Sequence, residues 1–425
     1  MGTSEDLVAR LRAAGCVFAE DEARILVASA STPAELEEWT ARRLAGEPLE
    51  HVVGWAEFAG LRIAVGPGVF VPRTRTEALA RRAAALAPEG GTVLDLCCGS
   101  GAVGALVAEL RPDVRVLAAD LDPAAVACAR RNLPPEYVFE GDLFEALPGD
   151  LRDRLDVVAV NAPYVPTEAI ASMPPEARDH EPCVALDGGA DGVDVHRRVA
   201  GRVSGWLAPA GQVLFETSTS QVPWTALALA RNGLHPRVTD HDEEIGTAVV
   251  AGIPVRHDLA TDALPPLEFA FPGPLRDRLA GLVASGAKTT TSSLAVELFI
   301  GGQSVGEQSV GGDSAGAGEE PEGMPAVGER WRVVDSTGAT VCVVETTGLR
   351  IAPLSEVDLR HALDEGEGDE TLAQWRTSHE DFWNGAEMRA YLGDEDFRVD
   401  DETLVVMERF RVVEAHPASA DQPFS

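Results

Sequence analysis

Lysine is all but missing from this chain. Of 425 residues only Lys288 is lysine, and 35 basic residues stand against 69 acidic ones, for a formal net charge of −34. Nucleic-acid affinity comes largely from phosphate neutralisation by Lys and Arg, so this balance disfavours a large nucleic-acid surface, although a small nucleoside is still a possible ligand. Long hydrophobic runs are missing too. No stretch is long enough to span a bilayer, and the chain does not start with a basic segment followed by an apolar core, which leads us to expect a cytoplasmic protein without a membrane partner. Cysteine is sparse: Cys16, Cys97, Cys98, Cys128, Cys183 and Cys342 lack the paired spacing of a metal site, and a disulfide framework is not expected either. Cys97 and Cys98 are expected to fill small sites beside a strand, and His180, His196 and His241 to lie at the surface. The length exceeds a single core and implies two or three domains.

What is present is organised around Asn161-Ala162-Pro163-Tyr164, which closes the apolar run from Leu155 to Val160. A buried strand that runs into proline leaves a rigid loop at the carboxyl edge of a sheet, where open α/β folds bind ligands. The Asn161 side-chain oxygen and the Ala162 carbonyl are two neighbouring acceptors, able to take both N–H bonds of one planar NH2 group. Such a grip suits an amide or an aromatic amine, whose delocalised lone pair makes it a poor nucleophile unless it is oriented. Tyr164 would cover the flat face of the target.

Upstream, Thr92-Val93-Leu94-Asp95-Leu96 leads into Cys97-Cys98-Gly99-Ser100-Gly101-Ala102-Val103-Gly104, the pattern of a strand, a glycine turn and a helix. Asp120 ends a second strand about 20 residues beyond the glycines, the offset of an acid on ribose hydroxyls, and Leu121 follows it. Asp142 and Leu143 follow a third strand, placing a carboxylate for an adenine amine and an apolar side chain for its ring. Gly99, Gly101 and Gly104 also spell a dinucleotide fingerprint. Asp95 argues against that ligand, because a carboxylate there repels a pyrophosphate and welcomes a cationic amino-acid group. S-adenosyl-L-methionine carries such a group.

With these pieces in hand, residues 1–251 resemble the protein-(glutamine-N5) methyltransferases of the HemK/PrmC type. Arg43 to His51, Phe70-Val71-Pro72-Arg73 with Thr76-Glu77, Glu181-Pro182, the 185–192 segment and Phe215-Glu216 with Gln221 follow in that family's order. The resemblance implies that Asp95, Gly99, Ser100, Gly101, Asp120, Leu121, Asp142, Leu143 and Asn161 hold S-adenosyl-L-methionine. It implies equally that Asn161, Ala162, Pro163 and Tyr164 hold a glutamine of a protein substrate, with a release factor one candidate and a ribosomal or other protein another. Ala162 stands where the family usually has proline, and the leading helical region is short for the family. Glu181 reads either as a substrate-orienting acid or as a helix cap.

Residues 267–415 resemble the ASCH domain, a small β-barrel related to PUA RNA-binding modules. Some ASCH proteins hydrolyse acylated cytidine with a Lys, a Thr three residues later and a Glu on a following strand, positions that fall here on Lys288, Thr291 and Glu345. The expected architecture is therefore α/β: a Rossmann-like class I methyltransferase with a small N-terminal helical domain and a C-terminal PUA-like barrel of α+β type. The boundaries read as a helical docking domain at 1–50, a hairpin linker at 51–74 turning at Gly66-Pro67-Gly68, the methyltransferase at 75–257 and a linker at 258–266. The ASCH domain follows with a disordered insert at 301–326, then a tail at 416–425. The insert contains Gly301-Gly302-Gln303, the tripeptide release factors present to this enzyme family. Two other activities compete: methylation of an exocyclic amine on RNA or DNA, and an ASCH amidohydrolase or RNA-binding module as the main function.

Overall fold

The computed structural model describes residues 4–242, 244–299 and 323–415. It forms two compact units, residues 1–221 with 239–250 and residues 222–238 with 251–425.

The first unit begins with four helices, α1 (Ser4–Ala13), α2 (Ala19–Ser29), α3 (Pro33–Leu44) and α4 (Leu49–Val53). Apolar residues at helical spacing, among them Leu7, Leu11, Ala23 and Leu26, meet in one small core with Leu49 and Val52. Thr32 caps α3 by accepting the Glu35 N–H, with Pro33 in the first turn. A hairpin follows, β1 (Trp55–Phe58) with β2 (Leu61–Ala64). Its turn is Ala59-Gly60, both at positive φ (51° and 83°), and not Gly66-Pro67-Gly68. A two-residue hairpin loop needs left-handed backbone at both central positions, which Pro67 cannot adopt. The Gly-Pro-Gly segment is a separate turn, closed by Val69 N–H on the Gly66 carbonyl.

Next come α5 (Glu77–Leu86), β3 (Thr92–Leu96), α6 (Ala102–Leu110), β4 (Arg115–Asp120), α7 (Pro123–Ala129), β5 (Val138–Glu140) and β6 (Leu155–Val160). After these lie α8 (Pro175–His180), α9 (Asp194–Val203) and β7 (Leu207–Ser218). With β8 (Leu234–Asp242) and β9 (Thr247–Pro254) the sheet order is β5-β4-β3-β6-β7-β9-β8. β3 runs parallel to both β4 and β6 and is buried almost throughout, as a strand covered on both faces must be. The chain moves outward from β3 to β5 and returns to the other side of β3 at β6. That reversal opens a crevice at the carboxyl ends of β3, β4 and β6, the place where doubly wound sheets take ligands.

The second unit contains α10 (Val222–Arg231), β10 (Pro266–Leu267), α11 (Pro274–Ala284), β11 (Thr290–Leu294), α12 (Ala295–Phe299), β12 (Arg330–Val334) and β13 (Thr340–Pro353). It continues with α13 (Leu359–Asp364), α14 (Leu372–Trp383), α15 (Ala386–Leu392) and β14 (Leu404–Ala415). The barrel expected for this region takes the form of a curled five-stranded sheet, β10-β12-β13-β14-β11, bent by bulges in β13 beside Val344 and Gly348. Trp331, Trp375 and Trp383 are all buried in its cores.

Two sequence boundaries shift. Ala226, Leu227 and Ala230 of α10 share a core with Leu349 and Ile351, which places that helix in the second unit. The 258–266 stretch is part of the fold as well: Leu264 is buried, its carbonyl accepts from Arg332, and Pro266 starts β10. Met324 and Ala326, assigned to the insert, are fully buried, while the Gly301-Gly302-Gln303 tripeptide and the 416–425 tail lie outside the described residues. Among the described residues no helix is long and apolar enough to cross a membrane.

Candidate active site

A cavity of about 440 Å³ opens at the carboxyl ends of β3, β4 and β6. Asp95, Gly99, Ser100, Asp120, Leu121, Asp142, Leu143 and the whole of Asn161-Ala162-Pro163-Tyr164 line it. Gly101 stands behind the wall at the start of α6, where φ of 77° requires glycine and an added Cβ would lie 3.1 Å from Leu133. Gly99 also has positive φ, but nothing lies within 4 Å of where its Cβ would be, so a ligand can approach that backbone closely. The hairpin braces this turn through Asn132, whose amide donates to the carbonyls of Ala64 and Ser100 while its oxygen accepts from Ala64 N–H.

The carboxylates differ in what already engages them. Asp95 is 2% exposed and accepts from Gly104 N–H at 2.9 Å; burial, with a smaller push from Asp120, raises its pKa to about 7. A cation placed beside it would restore the charge. Asp120 accepts from the backbone N–H groups of Gly99 and Asp122, and burial raises its pKa despite those bonds. Asp142 is paired at 2.5 Å with Arg198 of α9, a cavity residue the sequence did not indicate. Leu121 keeps 52% of its surface exposed on the cavity wall, an apolar face for a ring to cover. Cys97 and Leu143 both hold positive φ in this wall, non-glycine strain of the kind that collects at functional sites.

The target loop is held from behind. Gln221 donates its amide to the carbonyls of Tyr164 and Asp191, and Val165 bonds to the Leu186 carbonyl and the Gly188 N–H. Gly192 is obligatory at this junction, because a Cβ there would collide with the Tyr164 carbonyl. Asn161 Nδ2 donates to Thr76 Oγ1 at 3.2 Å, and Tyr164 Oη donates to Glu216 Oε1 at 3.4 Å. With its donor engaged on Thr76, the Asn161 carboxamide retains Oδ1 as the acceptor this loop was expected to present. Arg75 lies with its guanidinium 6.0 Å from the Tyr164 ring centre and 3.5 Å from Glu216.

The comparisons with known proteins bear on this cavity directly. Residues 61–173 match the model of the methyltransferase small domain, and residues 268–414 match that of the ASCH domain. The chain is 36% identical over 216 residues to the release factor glutamine methyltransferase of Geobacter sulfurreducens, covering 50% of this chain and 75% of the relative. It is 41% identical over 196 residues to that of Streptomyces coelicolor, covering 44% and 69%. The chain belongs to the release factor glutamine methyltransferase family. A third relative, the 4-amino-L-phenylalanine/4-methylamino-L-phenylalanine methyltransferase of Streptomyces pristinaespiralis, is 37% identical over 190 residues, covering 43% of this chain and 64% of the relative.

Within this family member, Glu181 neither lines the cavity nor caps a helix start. It follows α8, is 6% exposed, and its Oε1 accepts from Val71 N–H and Arg73 Nη2, tying the 69–73 segment to the 174–187 segment. His196 is buried, not at the surface. It falls on the inward stripe of α9 with Val199, Ala200 and Val203, packs 4.8 Å from Phe215, and burial lowers its pKa to about 3. That stripe was readable from helical spacing alone.

In the ASCH domain the expected trio does not assemble. Lys288 is 1% exposed and donates to Glu367 Oε1 at 2.6 Å and Glu365 Oε2 at 3.2 Å. Glu345 is held instead by Arg330 and Arg411. The register explains the separation: Glu345 lies opposite Arg411 on β14, whereas Thr291 lies opposite Glu408 from the other flank of that strand. Three residues of β14 put them about 10 Å apart along the sheet, besides the two strand spacings across it. Glu365 is the hub here, since Ser292 Oγ donates to it and both His361 and His379 lie within 3.3 Å.

Proposed function

We propose that the first 250 residues transfer a methyl group from S-adenosyl-L-methionine to the side-chain nitrogen of a glutamine in a protein, with a bacterial release factor as the substrate to test first. The single observation that carries this is the Asn161 carboxamide, which donates to Thr76 and lines the same cavity as Asp95 and Asp120. Bound S-adenosyl-L-methionine supplies an electrophilic methyl group on a sulfonium. The residues present fit it: buried Asp95 for the ammonium, Asp120 beside Gly99 for ribose hydroxyls, exposed Leu121 with Leu143 for the adenine ring. Asn161 Oδ1 and the Ala162 carbonyl take the two N–H bonds of the target amide, fixing its plane, and Tyr164 covers one face. Held in register, the nitrogen reacts as part of one complex, which is the largest contribution positioning can make.

The net charge of −34 weighs against an RNA or DNA amine as the target. The aromatic-amine relative favours a second reading, because a flat arylamine presents the same two N–H bonds. Tritiated donor offered to a purified release factor, to a cell extract and to 4-aminophenylalanine separates the two. Label in protein that Asn161→Ala abolishes supports the first; label in the free amino acid alone replaces it.

A further inference from the structure

Asp142 stands at the head of a 3-10 turn, Leu143–Ala146, where a carboxylate ordinarily caps the first N–H groups, yet its side chain makes no capping bond. Its Oδ2 accepts instead from Arg198 Nη2 of α9 at 2.5 Å. The backbone beneath the carboxylate is already fixed. Gly141 has φ of 152°, and a Cβ there would lie 3.1 Å from the Ala146 Cα. Phe144, 2% exposed, stacks on Trp206 with ring centres 5.6 Å apart. What is left to move is the Asp142 side chain itself, and the bond to Arg198 restrains it. The pair does little for the stability of the fold, because the two side chains keep 37% and 46% of their surface exposed. One turn further along α9, Arg202 makes a similar pair with Glu145 at 2.9 Å, but of the four residues only Asp142 and Arg198 line the cavity.

We propose that Arg198 is a positioning residue for donor recognition: by holding one oxygen of Asp142 it presents the other to the exocyclic amine of the adenine ring, so that the site selects an amino-purine over an oxo-purine. The proposal rests on the reading of this cavity as the S-adenosyl-L-methionine site. A carboxylate accepts hydrogen bonds and donates none, so a fixed oxygen matches the N–H groups of adenine and opposes the carbonyl oxygen of hypoxanthine. Left free to rotate, the same carboxylate turns to water when an oxo-purine arrives, and the mismatch has little effect. Selection therefore depends on the restraint that Arg198 supplies, as pre-organised groups bind and discriminate better than mobile ones.

Calorimetric titration of the full-length chain with S-adenosyl-L-homocysteine and with S-inosyl-L-homocysteine reads this selection without any methyl transfer. Wild type prefers the adenine compound by about 30-fold, the effect of one hydrogen bond to a charged group. Arg198→Met cuts that ratio below about fivefold, whereas Arg198→Lys, which restores a charged donor, keeps it within about threefold of wild type. Arg202→Met breaks only the outer pair and leaves the ratio unchanged. Asp142→Asn, whose amide can either accept or donate, brings the ratio close to unity, and adding Arg198→Met to it has no further effect, because both act on one contact. An Arg198→Met variant that weakens both compounds equally and keeps the ratio overturns the inference, since a purely structural role has that signature. A wild type that binds both compounds equally well takes Asp142 away from the adenine amine and overturns it too, while the donor site stands. A wild type that binds neither compound fails the donor reading beneath it.

Discussion

Asp95 makes the donor site sensitive to pH in a calculable way. Its carboxyl is raised to about 7 by burial, and it is the group expected to meet the donor ammonium. Protonated, it offers no charge. An acid titrating at about 7 is about one-tenth ionised at about pH 6 and about three-quarters ionised at about pH 7.5, whereas an α-amino group near about 7.8 loses its own charge above that. Multiplying the two fractions gives an affinity for S-adenosyl-L-methionine that peaks near about pH 7.4 and is about sixfold weaker at about pH 6, or about 1 kcal/mol. Calorimetric titrations across this range, repeated in two buffers of different ionisation enthalpy, would show about a third of a proton released on binding near about pH 7. Asp95→Asn should bind more weakly at the optimum and lose the acid limb. An affinity that is flat between about pH 6 and about pH 7.5, or an Asp95→Asn variant that retains the wild-type profile, refutes the placement of the ammonium on this carboxylate.

Further outcomes follow from packing and buried charge. A Cβ on Gly104 would lie 3.0 Å from Leu133 and 3.1 Å from Val116, so Gly104→Val costs about 2–3 kcal/mol in chemical denaturation, whereas Gly66→Ala, with nothing within 4 Å, is close to neutral. Lys288→Met leaves Glu365 and Glu367 without their shared cation and costs about 3–5 kcal/mol; a loss below about 1 kcal/mol would show that the histidines and Ser292 suffice. Burial raises Glu408 to about 7 even though the Thr346 hydroxyl donates to it. For an acid with a folded pKa above its unfolded one, the stabilising contribution is present below about pH 4.5 and is lost as pH rises through about 7. Glu408→Gln is therefore more stable than wild type by about 3 kcal/mol at about pH 8, and the gain vanishes near about pH 4.

How far these sites could be read in advance depends on sequence distance. The glycine turn, Asp95, Asp120 and the Asn161 loop each sit at the end of a short apolar run, so their geometry is a local property of strand, turn and helix. The same holds for the ASCH strands and for the inward stripe of α9, where the helical period turns His196 toward the core against the expectation of a surface residue. Arg198 carries no such mark, and Thr76 and Glu216 are marked only by the family resemblance, which names no partner for either. Thr76 meets Asn161 across 85 residues of chain, and Arg198 meets Asp142 across 56. Which of many arginines or acids closes such a pair depends on how helices seat against the sheet. Lys288 makes the point most plainly: its rarity singled it out, but Glu345 and Glu365 are equivalent as letters. Strand register sends the first to Arg330 and Arg411 and a helix end delivers the second to Lys288.

By itself, then, the sequence determined the α/β class, the second domain, the glycine turn and the Asn161-Ala162-Pro163-Tyr164 loop at its strand end, because each is a pattern within a few residues of backbone. The tertiary structure alone decided which buried carboxylate meets Tyr164 and Arg75, which carboxylates hold Lys288, and that Glu181 braces the wall without reaching the cavity, because those choices rest on register and packing between segments far apart in the chain.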